Sequence, residues 1–264
     1  MGLLYGARRS LLKIKTPSLR DLYGLVGEYD FSVNASLYQD SALTTLAAPT
    51  TPIGGVVDLS RSGNIATQTT TAAKPTLTAN AINGRQAASF DGGDYLTCDS
   101  LAASAGVSGS DKPFTVAAVV QFTSVAALRA IFSFGRATTN DTYHVFRITA
   151  TPNWSFSSAD DTDVGNVDSA GTPNTSPHII CCLFSGTTIS ILIDGITVIN
   201  EAAHDVGTLT LDQATIGALR TYQNLIQLML GTIGQLAVLN RRISTPEAMW
   251  ATRLLGKKWG ITTA

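Results

Sequence analysis

Charge is scarce in this sequence: 14% of its 264 residues are Asp, Glu, Lys or Arg, against about a quarter in an ordinary domain. Such a chain does not suit a helical bundle or a disordered tail. Glutamate is scarcest of all, present only as Glu28, Glu201 and Glu247. A glycosidase needs two carboxyl groups about 5 to 9.5 Å apart, and no two of these three are near one another in sequence. Histidine occurs three times, at His144, His178 and His204, in unrelated contexts. With no Gly-x-Ser-x-Gly elbow, a nucleophilic triad has no sequence support. The full set of several His or Cys at ligand spacing that a zinc cluster needs is missing, and GxxxxGK[ST] is missing, which excludes a phosphate loop. The three cysteines, Cys98, Cys181 and Cys182, make an odd count. Two adjacent cysteines in a strand point to opposite faces, so all three read as small buried hydrophobes of a reducing compartment.

Long apolar runs are lacking as well. The most apolar stretch, HIICCLFSGTTISILIDGITVI (178–199), is broken by Gly186, Asp194 and Gly195, so it reads as successive strands and not as a membrane span. The first residues show no apolar h-region with a small-residue cleavage site, and MGLLYG lacks the Ser or Thr of a myristoylation signal. The expectation is a soluble protein made in a cytoplasm.

What is abundant is period-two patterning. In FTVAAVVQF (114–122), Phe114, Val116, Ala118, Val120 and Phe122 share one face. Further strands are expected at RAIFSFGR (129–136), TYHVFRIT (142–149), HIICCLF (178–184) and GTIGQLAVLN (231–240), each bounded by turn residues. In TTISILIDGITVIN (187–200), Asp194-Gly195 supplies the positive-φ pair of a two-residue hairpin. One helix is well signalled: Ser244-Thr-Pro-Glu247 is a capping box with proline in the first turn, and Gly260 is the stop. Lys257 and Lys258 fall at its negative end, with Trp250, Leu254 or Leu255 turned to the core. ATQTTTAAKPT (66–76) reads as a surface loop or an edge. The architecture is all-β, an antiparallel two-sheet sandwich with a short C-terminal helix.

The net charge of −1 hides an asymmetry. Arg8, Arg9, Lys13, Lys15 and Arg20 give residues 1–20 a charge of +5, which leaves −6 for the rest. A basic arm on a mildly acidic body is expected to dock onto a partner, and LLKIK (11–15) alternates as a strand added to a neighbour's sheet edge would. Nucleic-acid binding by the body is disfavoured by its charge.

Five segments resemble the concanavalin A-like, laminin-G-like jelly-roll family, in the versions carried by tailed-phage and bacterial surface proteins: VVDLSRSGNIATQ (56–68), GRQAASFDGGDYLTC (84–98), FTVAAVVQF (114–122), ISILIDGITV (189–198), and TIGAL (215–219) through GQLAVLNRRISTPEAMWATRLLGKKWGI (234–261). The resemblance implies a jelly roll of about a dozen strands over residues 27–264, with 1–26 as an added attachment arm. The Glu-x-Asp-x-x-Glu strand of the related glucanases is absent, so no enzyme is expected. Since the fold serves lectins, glycosidases and structural modules alike, function must be argued from sites.

Three places were candidates. SADDTDVGNVD (158–168) offers Asp160, Asp161 and Asp163 as hard ligands for calcium, the one cofactor considered. Trp154 and Tyr222 are the aromatics placed for glycan contact. SFDGGDYLTC (89–98) sets Asp91 and Asp94 about a Gly-Gly pair. A two-residue hairpin there would oppose two like charges; the family likeness favours a wider turn with Phe90 and Leu96 as anchors. The resulting expectation is a non-enzymatic virion protein, a head decoration, fibre or tail appendage. Its arm meets other virion proteins, and a homo-oligomer, a trimer first, suits that role. A lectin-like module binding a host surface glycan is the alternative, with no membrane or nucleic-acid partner.

Overall fold

The computed structural model describes residues 17–137, 142–160, 164–168, 171–205, 207–222 and 224–264. Two large antiparallel sheets face each other. The eight-stranded sheet runs, in spatial order, Ile196–Ala203, Thr188–Ile193, His178–Phe184, Phe114–Phe122, Leu230–Leu239, Arg85–Asp91 and Thr76–Ile82, with Leu25–Asp30 also pairing on Leu230–Leu239. The nine-stranded sheet runs Val164–Asp168, Trp154–Ala159, Tyr143–Ile148, Arg129–Gly135, Gln213–Ile216, Leu96–Cys98, Ala66–Thr67, Gly55–Val56 and Leu37–Tyr38. That is more than the expected dozen strands. The surplus lies in two- and three-residue ladders, too short to show alternation.

Period two decides what each sheet buries. Phe114, Val116, Ala118, Val120 and Phe122 enter the core between the sheets, with Phe132, Phe134, Phe146 and Phe156 opposing them. The alternate residues Ala117 and Val119 join a second apolar cluster on the outer face of the eight-stranded sheet. The two cysteines follow the same rule. Cys182 pairs with Val116 and faces inward, whereas Cys181 pairs with Ala117 and faces outward; all three cysteines are buried and unbridged. Burial pushes the Cys181 thiol up to about 12, which keeps it protonated and inert.

The second cluster is covered by the helix Thr245–Trp259. Ser244 Oγ accepts from the Glu247 N–H and the Glu247 carboxylate accepts from the Ser244 N–H, closing the capping box. Gly260 ends the helix in the left-handed region at φ 66°. Ala248, Ala251, Leu255 and Trp259 face the sheet; Leu254 and Trp250 are only partly buried, so Trp259 is the anchor that the expected contacts did not include. A Cβ at Gly234 would lie 2.7 Å from the Trp259 ring, so only glycine lets the indole reach the sheet.

The segment before the first strand belongs to this layer. Leu19 and Leu22 are buried in the second cluster, and Arg20 Nε donates to Glu28 Oε2 at 2.9 Å. The boundary expected between residues 26 and 27 falls inside the strand Leu25–Asp30. Arg8, Arg9, Lys13 and Lys15 lie outside the described residues.

The Asp194-Gly195 turn is as expected, with φ of 51° and 85° between strands ending at Ile193 and starting at Ile196. The Gly92-Gly93 turn is no hairpin. Arg85–Asp91 belongs to the eight-stranded sheet and Leu96–Cys98 to the nine-stranded one, so this turn carries the chain across the sandwich. Phe90 and Leu96 are buried on either side of it. Each aspartate holds backbone: Asp94 Oδ2 accepts from the Asp91 N–H at 2.9 Å, and Asp91 Oδ1 from the Gly93 N–H at 2.8 Å. Burial raises Asp94 to about 6, and the Asp91 charge adds to the rise.

Candidate functional site

Trp154 opens the strand Trp154–Ala159, and that strand's alternation turns it inward. It is 2% exposed and sits 6.0 Å from the Phe122 ring and 5.5 Å, edge on, from His178. It is a core residue and cannot be an exposed sugar platform. Tyr222 is exposed at the turn between Leu219–Thr221 and Asn224–Ile226. This hairpin lies over the nine-stranded sheet, fastened by Ser133, whose Oγ donates to Ala218 O at 2.9 Å and accepts from the Arg220 N–H at 3.1 Å. Asp160 is half-buried after the strand Trp154–Ala159, while Asp161 and Asp163 lie outside the described residues. Among the described residues no three His, Cys, Asp or Glu gather as a metal-holding group.

Two polar clusters emerge that separation in sequence had concealed. The first lines a cleft of about 560 Å³ between the N-terminal segment and the end of the helix. Glu28 and Asp30, two apart on one strand, share a face there. Glu28 accepts from Arg20 and from Gln235 Nε2 at 3.0 Å; Asp30 accepts from the Ser32 N–H and O–H and from Lys258. Lys258 also donates to Gln235 Oε1 at 2.8 Å, which accepts from Trp259 Nε1 at 3.2 Å. Every carboxylate oxygen is engaged, so the cluster ties the helix to the first strand and holds no idle acid–base pair.

The second cluster lies inside the sandwich. Ser158 Oγ is 2.5 Å from His144 Nδ1 and 2.8 Å from His204 Nε2, within the rings of Phe114, Phe156 and Phe184. Burial pushes His144 down to about 3, and the neighbouring His204 adds to the shift. Burial likewise pushes His204 to about 4, against the opposing pull of Asp205. Both imidazoles are neutral at physiological pH and joined through one hydroxyl. Their packing inside the aromatic core makes the cluster a structural fastening between the sheets.

A third feature is open to solvent. On the outer face of the eight-stranded sheet, beyond the helix, lies a groove of about 470 Å³ lined by Thr78, Ser89, Gln121, Thr123, Thr175 and Thr232, with Ala81 and Phe122 beneath. The register explains why these residues meet. Ser89 is paired with Thr232, and Thr232 with Gln121, across three neighbouring strands. Thr78, on a fourth strand, accepts from Ser89 Oγ at 2.8 Å. Gln121 Nε2 donates to Thr175 O at 3.1 Å. The hydroxyl of Thr232 is buried and makes no hydrogen bond, an uncommon state for a buried polar group. Among the described residues the groove has no charged lining. Sequence reasoning missed it because its residues come from five separate segments, around 78–81, 89, 121–123, 175 and 232, and no one of them stands out as a site.

Comparison with known families finds that the model of the concanavalin A-like lectin/glucanases superfamily, of the third laminin-G type, matches residues 90–248, more than half of the chain. No curated protein matches. Among solved structures, the binding domain of Paraclostridial mosquitocidal protein 1 superposes with a TM-score of 0.63 at 9% identity, covering 90% of this chain and 53% of that one. Trypanosoma rangeli sialidase in complex with sialic acid gives a TM-score of 0.58 at 13% identity, over 92% of this chain and 34% of the other. Domain 4 of a GH43 extracellular arabinanase from Geobacillus stearothermophilus, in complex with arabinotriose, gives 0.54 at 15% identity, over 86% of this chain and 98% of that domain. At such identities the likeness is one of fold.

Proposed function

As the chain belongs to the concanavalin A-like lectin/glucanases superfamily, we propose that it is a non-catalytic jelly-roll module that contacts glycans from the surface of a tailed-phage particle. The observation that carries the glycan reading is the uncharged groove lined by Thr, Ser and Gln side chains. Sugars present closely spaced groups that both donate and accept, as do Thr, Ser and Gln side chains. Support also comes from the arabinotriose-bound domain of similar fold. The non-catalytic reading is supported by the engagement of all three glutamates in ion pairs, Glu28 with Arg20, Glu201 with Arg242 and Glu247 with Arg241.

The particle assignment is supported by the five sequence segments and by the concentration of basic residues before Leu19. Arg20, Leu19 and Leu22 fix the root of that segment to the body, which leaves Arg8, Arg9, Lys13 and Lys15 as the docking group for other virion proteins. A trimer is the assembly proposed, because weak sites gain avidity when several are displayed together. Calcium through Asp160, Asp161 and Asp163 stays a secondary proposal, tested by a melting shift on adding the ion. For glycan contact, the full chain presented multivalently on a glycan array is expected to retain sugars and to release no product. Silence across the array would sink that reading. For tethering, removal of residues 1–16, which spares the buried Leu19 and Leu22, is expected to abolish incorporation into particles.

A further inference from the structure

We propose that the groove on the eight-stranded sheet takes a linear, uncharged oligosaccharide of about three units, laid across the strands; this rests on the glycan reading above. Thr78, Ser89, Thr232 and Gln121 stand on four successive strands. With strands about 4.8 Å apart, the row spans roughly 14 Å. The step between strands is comparable to the repeat of an extended sugar chain, so successive sugar units meet successive polar side chains. Thr175, held over one end by the Gln121 amide, closes the row on the loop side.

The class of sugar follows from the lining. A uronate or other acidic sugar entering the groove would surrender water around its carboxylate and find no Lys, Arg or His among the described lining residues; an unpaired charge in such a place is costly. A neutral sugar loses only hydroxyl hydration, which Ser, Thr and Gln replace. Stacking contributes little, because Phe122, the one aromatic residue here, is 1% exposed and faces the interior. Binding therefore rests on hydrogen bonds in register. The Thr232 hydroxyl is buried beneath this row and out of a ligand's reach, so the half-buried Ser89 and Gln121 on the strands either side of it carry the contacts.

The test uses the full chain and a printed panel of neutral and acidic oligosaccharides of one to five units, followed by titration calorimetry on the best binder. Retention is expected for neutral chains, rising with length up to about three units and then level. Ser89→Ala and Gln121→Ala should each weaken binding about tenfold, with melting temperatures close to the parent's. Equal retention of acidic chains, no dependence on length, or indifference to both substitutions would overturn the proposal and leave the glycan reading standing. Failure of every sugar on the panel would overturn both together.

Discussion

One face of one sheet is built in two ways. On the outer face of the eight-stranded sheet, Ala87, Ala117, Val119, Ala237 and Leu239 lie under the helix, where Leu255 and Trp259 close on them. Two residues along the same strands, Ala87 gives way to Ser89 and Val119 to Gln121, and past the Gly234 contact the central strand carries Thr232. The helix stops, and the groove begins. The difference teaches that a strand's alternation says which face a residue occupies, but not whether another element covers it there. Apolar positions drive burial at about 25 cal/mol per Å²; hydroxyls offer that drive little, so this part of the face is left for solvent or a ligand.

The two halves should therefore respond differently to substitution. Trp259→Ala removes the anchor of the covered half and is expected to cost about 3–5 kcal/mol, read as a lower urea midpoint. A parent-like midpoint would mean that the helix contributes nothing to closing the face. Next in size is a control away from both halves. Ser158→Ala leaves two buried imidazoles without their shared hydroxyl and should cost about 1–3 kcal/mol at pH 7.5. The parent itself is acid-sensitive at this point. His144 and His204 titrate near 3 and 4 when folded, below the value of about 6.5 expected unfolded. The unfolded chain therefore binds the extra protons, and the stability present above pH 6.5 drains away as pH falls through 4 toward 3. Denaturation midpoints that stay flat from pH 7 to pH 4 would contradict the buried neutral pair.

Asp94 has the opposite sign. Its folded value near 6 lies above the ordinary carboxyl value of 3.8, so the folded chain holds the proton more tightly and ionisation above pH 6 costs stability. Asp94→Asn keeps an oxygen to accept from the Asp91 N–H, and should stabilise by about 1–2 kcal/mol at pH 7.5. The gain should fade by pH 4, where the parent is already protonated. The smallest effect is expected in the open half. Ser89→Ala and Gln121→Ala should move stability by no more than about 0.5 kcal/mol, while both weaken sugar binding. A large loss of stability there would mean that the hydroxyl row supports the fold and that the two halves are alike.

Much of the fold was legible because the residues announce it locally. Phe114–Phe122 and His178–Phe184 run as their alternation implies, Asp194-Gly195 turns as its positive φ requires, and Ser244 with Glu247 caps the helix. The site was far less legible. Trp154 looked like a loop aromatic, yet it pairs with Ile148 as the first residue of its strand and points inward. His144 and His204 looked unrelated, yet Ser158 joins them from a neighbouring strand. Arg20 looked like part of a free arm, yet Glu28 holds it against the body.

The sequence by itself determined the all-β class, the inward and outward faces of the long strands, the capped helix and the inert state of the cysteines. Each of these depends on neighbours within a few residues, through pleat, turn dihedrals and caps. Tertiary structure alone decided that Gly92-Gly93 crosses between sheets, that Glu28 and Asp30 are consumed by Arg20, Gln235 and Lys258, and that Thr78, Ser89, Thr232 and Gln121 form one row. Those outcomes depend on which strands become neighbours. Strand order is set by closing a common core from distant parts of the chain, and no short stretch encodes it.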